Sequence, residues 1–314
     1  MRWRGTSLPT DQLALFRQDP HGRALARGVT GAATCVSCHG AHDVRPSYDP
    51  ASRTHATRVA PLCGECHRES TRRDGTHGTP VPDWQRSAHG EVFARGETTT
   101  APTCTGCHGR HGELADNGGA AAACGRCHVE EASLFARSPH AAAWQRLGFG
   151  GCAACHGNHD VPPASDVLLG VGGRSACARC HAIGQRAWDL ASRLSARRDE
   201  ARARAARALR LVREAREAGI EPPGASLAVE EVREAESRLR VASHALDEAA
   251  LDDAVRAVVA PSARAEDAAR AAMARHRDER RTWLWMIPVL GVLLALLLVR
   301  IRRLDRVTAE GRDG

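Results

Sequence analysis

The pattern C-x-x-C-H occurs six times, at Cys35/Cys38/His39, Cys63/Cys66/His67, Cys104/Cys107/His108, Cys124/Cys127/His128, Cys152/Cys155/His156 and Cys177/Cys180/His181, and these copies hold all twelve cysteines. No cysteine is left for a structural disulfide or a thiol nucleophile, so whatever the pairs bind must organise the fold around them. Two cysteines at this spacing can hold zinc, form a redox disulfide or bond covalently to haem. Zinc ribbons need nothing after the second cysteine, and a thioredoxin-like pair usually occurs once, in a βαβ setting. In c-type haem attachment both sulfurs add to the haem vinyl groups, and the next residue must be the histidine that ligates iron on one face. Histidine is 16 of 314 residues, so its presence after every pair is far beyond chance. The pattern therefore predicts six covalently bound c-type haems, with a zinc array as the alternative.

Haem iron has a second axial position, open or filled by His, Met or another group. The methionines are Met1, Met273 and Met286, none among the motifs, so histidine is expected there. The haem region holds eight further histidines, and six of them follow a pattern. His42, His111 and His159 lie three residues after a motif histidine, in "CHGAH", "CHGRH" and "CHGNH". His21, His89 and His140 lie 12 to 15 residues before the first cysteine of the same motif. These six are the expected distal ligands, with His55 and His77 as alternates. The assignment of each to a particular haem stays open.

The recurrence marks an internal repeat. The runs from His21, His89 and His140 align, and each continues to a second C-x-x-C-H. Residues 21–181 are thus three two-haem modules. About 160 residues for six haems leave roughly 27 each, too few for an ordinary apolar core. The expected fold class is mainly α with extensive loops: short motif-bearing helices, almost no sheet, and haems packed against one another. This region resembles the multihaem cytochromes c with doubled C-x-x-C-H modules. The likeness is carried by Ser87-Ala88-His89-Gly90, Ala101-Pro102-Thr103-Cys104, the three C-H-G-x-H runs and "YDPASRTH" ahead of Cys63, and covers about half the chain.

Beyond His181 the composition changes. Residues 185–218 are rich in Ala, Arg and Glu; "AGIEPPGAS" interrupts; residues 227–259 resume with an apolar stripe of Val232, Ala235, Leu239, Ala242, Leu246 and Ala249 at three- and four-residue spacing. A long antiparallel helical hairpin over 185–280 is the expectation, with Pro261 kinking or restarting its second arm. "WLWMIPVLGVLLALLLV", Trp283 to Val299, carries no charge and predicts a transmembrane helix over 282–300, with 301–314 as a cytoplasmic tail. Arginines flank both ends, so charge alone does not orient the span. Haem attachment outside the bacterial cytoplasmic membrane does, and it places the haem domain in the periplasm.

The formal charge of +7 comes entirely from arginine, since the chain has no lysine. Haem propionates would offset that excess, so the charge is no argument for nucleic acid. Residues 1–20 form a lead-in without an export signal. "LALFRQDPH" before His21 is similar to "ASLFARSPH" before His140, and the latter follows a motif, so the lead-in is expected to be truncated.

With a histidine available for every iron, the expected function is electron transfer in a respiratory chain, between membrane-bound and periplasmic redox partners, with no catalytic residues. A multihaem oxidoreductase acting on a nitrogen or sulfur oxyanion, at a haem with an open distal site, is the alternative.

Overall fold

The computed structural model describes residues 10–71, 77–97, 100–112, 119–163 and 167–310. The fold is mostly helical. Its sheet content among these residues is one antiparallel ladder of β1 (Ser70–Thr71) and β2 (His77–Gly78). The chain divides into two compact units, Met1–Ala196 with Val241–Leu251, and Arg197–Arg240 with Asp252–Gly314.

The first unit is a threefold recurrence of short helices. The first set is α1 (Gln12–Gln18), α2 (Pro20–Ala26), α3 (Cys35–His39) and α4 (Ala56–Gly64). The second is α5 (Pro80–Gln85), α6 (Ala88–Ala94), α7 (Cys104–His108) and α8 (Gly119–Gly125). The third is α9 (Val129–Arg137), α10 (Pro139–Leu147), α11 (Ala153–His156) and a 3₁₀ turn at Cys177–Arg179. Each set opens with a tight helix pair. Asp19 caps α2 by accepting from Gly22 N at 2.8 Å, and Ser87 caps α6 by accepting from Gly90 N at 3.1 Å. Gly22 and Gly90 are required by close approach. A Cβ on either would overlap the backbone of the preceding helix, at the carbonyl oxygens of Phe16 and Trp84. The residue before each glycine is a histidine, so this packing also aims His21 and His89. Little of the unit is a conventional core; Val59, Ala60 and Ala101 are among its few buried apolar side chains.

The second unit takes most of α12 (Arg186–Glu217), α13 (Ala225–Ala242) and α14 (Glu248–Glu310), from Arg197 to Arg240 and from Asp252 on. Ala201, Ala205, Ala208, Val212 and Ala215 form a buried stripe on α12 at alternating four- and three-residue spacing. Val212, Ala225, Val229, Ala265 and Ala269 share one apolar cluster, so all three helices meet there. Contacts of Arg216 with Ser226 and of Arg202 with Glu236 run α12 against α13 in opposite directions. The Arg264–Glu231 pair, with the short turn before α14, does the same for α13 and α14. This arrangement differs from the expected two-armed hairpin. The second arm stops at Ala242, where the chain makes a 3₁₀ turn at Ser243–Ala245 and Leu246 takes a left-handed conformation (φ 51°). Leu246 and Ala249 therefore leave the stripe that Val232, Ala235 and Leu239 continue.

Pro261 does not end α14, which continues past it. Its neighbours explain why: Val258 and Ala265 are fully buried and Ser262 nearly so, and the Ser262 hydroxyl donates to Val258 O at 2.7 Å. Packing offsets a local cost of about 3 kcal/mol for an interior proline. Farther along, Trp283–Val299 is exposed throughout. Among the described residues, α14 is the one helix long and apolar enough to cross a membrane. Residues 1–9 of the lead-in and 311–314 of the tail lie outside the described residues.

Candidate haem sites

The first motif of each set lies on a short helix, and each second motif turns past the end of its helix, closed by a bond from the histidine N–H to the first cysteine's carbonyl at 2.9–3.0 Å; the two cysteines and the histidine thus share one face. Such a face presents two sulfurs and one imidazole to the same flat ligand. Gly40, Gly109 and Gly157 end the first motif helix of each set in nearly identical conformations, φ 78°, 74° and 75°. A residue with a Cβ is disfavoured at that φ, so glycine is what lets the chain turn sharply towards His42, His111 and His159. His111 itself has φ 53°.

Among the described residues, six imidazole pairs stand opposite one another across a gap, four nearly parallel (18–29°) and two tilted by 49° and 52°. His21 lies opposite His67, His89 opposite His128 and His140 opposite His181, with ring centroids 5.9, 6.3 and 5.9 Å apart. His39 lies opposite His111, His108 opposite His159 and His156 opposite His244, each at 5.9 Å. Every pair joins one motif histidine to one histidine outside the motifs. Two imidazoles on opposite faces of one metal ion put their centroids about 6 Å apart, given metal–nitrogen bonds of about 2 Å. The gap in all six pairs therefore fits a single iron. No group of three or more His, Cys, Asp or Glu side chains converges as a zinc centre would require, among the described residues.

The pairing follows a rule. The second motif of each set faces the histidine on that set's own opening helix pair: His21, His89 and His140. The first motif of each set faces a histidine from later in the chain. His111 of the second set faces the first, and His159 of the third faces the second. The first motif of the third set faces His244, on the 3₁₀ turn between α13 and α14. The same segments also pack on the helix pairs. The turn after His111 abuts Leu15 and Asp19 through Gly112, Val161 accepts a hydrogen bond from Ala88 N at 2.8 Å, and the His244 turn packs on α9.

His244 escaped the sequence reading because it lies within a helix-forming stretch far from any motif. One signal was available. If the third set borrows a histidine from downstream as the others do, only His244 and His276 follow the last motif. The Nδ1 of His244 lies 3.1 Å from Val241 O, so with Nδ1 protonated it donates there and Nε2 carries the free lone pair. His42 is exposed and has no histidine opposite it among the described residues. His55 is engaged elsewhere: its Nδ1 lies 2.8 Å from the Thr57 hydroxyl and accepts from Thr57 N, capping α4. The side chain of His77 lies outside the described residues.

Electrostatics suit neutral imidazole, the form a metal ion takes. Burial, reinforced by the facing ring, holds His39, His89, His140 and His156 below the ordinary histidine value. For His108 burial is again the main cause, with His67 adding to it. Trp144 stacks on His140 at 5.1 Å and steadies its ring.

Consecutive motifs are neighbours along the whole series. Cys38 lies near Cys63, Cys107 near Cys124 and Cys155 near Cys177, as their raised pKa values reflect after burial itself. Across the set boundaries Cys63 lies beside Cys104 and Cys124 beside Cys152, and the neighbouring sulfur raises the thiol pKa of Cys63 and Cys124 and lowers those of their partners, Cys152 to about 7. Within each set an arginine ties the two motifs together. Arg179 donates to Ala154 O and Cys155 O, each at 3.0 Å, and Arg126 donates to Gly106 O. In the first set Glu65 stands at the equivalent position. It pairs with Arg53, which reaches Ser37 O at 3.3 Å.

Repeated C-x-x-C-H turns and paired imidazoles on a helical unit are the arrangement a multihaem c-type cytochrome needs. Residues 97–182 match the family model of cytochrome c3, which supports that class and covalently bound c-type haem. The comparisons with curated proteins and with solved structures found no match.

Proposed function

We propose that this chain is a membrane-anchored, periplasmic hexahaem c-type cytochrome that passes electrons through bis-histidine haems in a respiratory chain. The observation that carries this reading is the set of six imidazole pairs, one for each motif, at the spacing of two axial ligands. Cys35 and Cys38 would hold the first haem, with His39 and His111 as axial ligands. Cys63 and Cys66 act with His67 and His21, Cys104 and Cys107 with His108 and His159, and Cys124 and Cys127 with His128 and His89. Cys152 and Cys155 act with His156 and His244, and Cys177 and Cys180 with His181 and His140. When bound, haem supplies a one-electron iron couple, and imidazole on both faces without methionine favours a low potential.

The protein's own residues do the rest. Two imidazoles per iron leave no coordination site for a substrate, which favours transfer over catalysis. The sequential neighbourhood of the motifs gives an electron a path of short steps, and tunnelling falls off steeply with distance. The apolar part of α14 would anchor the chain in the bacterial cytoplasmic membrane, with the haem unit on the periplasmic side, where covalent attachment takes place.

Protein matured in a host competent for c-type haem attachment should contain six haems per chain by pyridine haemochrome and intact mass. Electron paramagnetic resonance should show every iron low-spin, unchanged by cyanide or nitrite. Stoichiometric zinc without haem would overturn the reading. A high-spin fraction near one haem per chain would replace it with an oxidoreductase acting on a nitrogen or sulfur oxyanion at an open iron.

A further inference from the structure

Among the described residues, His42 is the member of the C-H-G-x-H series that has no motif histidine opposite it. Its turn is built like the two that are used. Gly40 and Gly157 share φ values of 78° and 75°, and the carboxylates of Asp43 and Asp160 close over those glycines in the same way. The later turns each face a first-motif histidine one set earlier in the chain, at 5.9 Å, and pack on that set's opening helix pair. The 3₁₀ turn of His244 does the same for the third set, so all six motif histidines already have partners. Among the described residues, no opening helix pair of another set packs on the turn of the first set. His42 is exposed there, with the apolar Val44 beside it 59% exposed.

We propose that His42 is an axial ligand for a haem iron beyond these six, one held by a C-x-x-C-H motif whose distal position is otherwise open. This rests on the bis-histidine reading above. A second copy of this chain cannot supply that iron, because its six are filled in the same way. The iron therefore belongs either to a further motif joined to this polypeptide or to a separate cytochrome that docks at the Gly40–Val44 turn. In both cases the turn carries the series of haems one step past Cys35 and makes this end of the unit an electron entry or exit point.

The test compares two preparations. In the 314-residue chain matured in a competent host, His42→Ala should leave all six irons low-spin, whereas His111→Ala and His244→Ala should each open one. In the protein purified with its partners from its native membranes, His42→Ala should convert one iron to high-spin and create one site for carbon monoxide on the reduced protein. Haem staining after denaturing electrophoresis then tells whether the opened haem is on the same polypeptide or on a co-purifying cytochrome. An iron opened by His42→Ala within the 314-residue chain would overturn the proposal, as would a silent His42→Ala in the native preparation. If His111→Ala and His244→Ala are also silent, the pairing itself fails, and that result is distinct from failure at His42 alone.

Discussion

Gly90 shows how much of a haem site depends on one small residue. It follows His89 and lies so close to the Trp84 carbonyl that no Cβ fits. Gly90→Ala should force α5 and α6 apart, cost about 1–3 kcal/mol as overpacking does, and move His89 off its position opposite His128. The measurement is the spin state of the ferric protein, in which one iron should become high-spin while haem content stays at the wild-type value. Ala141, which follows His140, is not close-packed glycine, and Ala141→Gly should leave the spectrum unchanged. The contrast separates close approach from a general need for glycine after these histidines. Both His89 and Gly90 are plain in the sequence, in "SAHG", but only the packed helix pair shows what the glycine is for.

Among the elements, the arginine between the cysteines of a second motif acts as a tie to the first. Arg179 donates to two carbonyls of the Cys152–His156 turn. It is exposed, so solvent screens part of its worth, and Arg179→Met should cost about 1 kcal/mol in chemical denaturation. Haem attachment should persist, since no cysteine or histidine changes. The potentials of the two haems in that set should shift relative to each other in a redox titration, because their spacing is no longer held. Pro261 makes the opposite point. Its helix survives because Val258, Ser262 and Ala265 on either side are buried, so Pro261→Ala should restore a backbone hydrogen bond and stabilise the second unit. A rise in the second unit's melting temperature, followed by circular dichroism, checks this; a fall would mean that the buried ring fills space alanine leaves empty.

For the whole molecule, the notable fact is that the unit holding the C-x-x-C-H motifs is not one stretch of chain. Val241–Leu251 belongs to it, although more than a helix's worth of sequence separates this segment from the last motif. A chain ended after Ala196 contains every C-x-x-C-H and should bind all six haems. It should nevertheless show one high-spin iron, the one held by Cys152, Cys155 and His156, because His244 is gone. Adding imidazole should return that iron to low spin. Six low-spin haems in the truncated chain, without imidazole, would show that the haem unit finds its last ligand elsewhere, with His42 and His77 as the histidines to examine next.

The C-x-x-C-H turns were legible in the sequence because they are local. Two sulfurs and an imidazole within one helical turn are fixed by residue spacing, and no distant packing can change which residues they are. The helical composition after His181 and the uncharged run from Trp283 to Val299 were legible for the same reason, since period and length are properties of a short window. The histidine pairs were not. Five of the six expected distal histidines lie opposite a motif histidine, yet the partner of each depends on two segments meeting about 6 Å apart, and spacing along the chain carries no information about such a meeting. His111 faces back to His39, whereas His42, in the same motif context, faces no histidine. His244 replaces it from a turn that interrupts what the apolar stripe alone would extend as one helix. That turn forms because Leu246 takes a left-handed conformation while the segment packs on α9, a choice made by tertiary contacts and not by helix propensity.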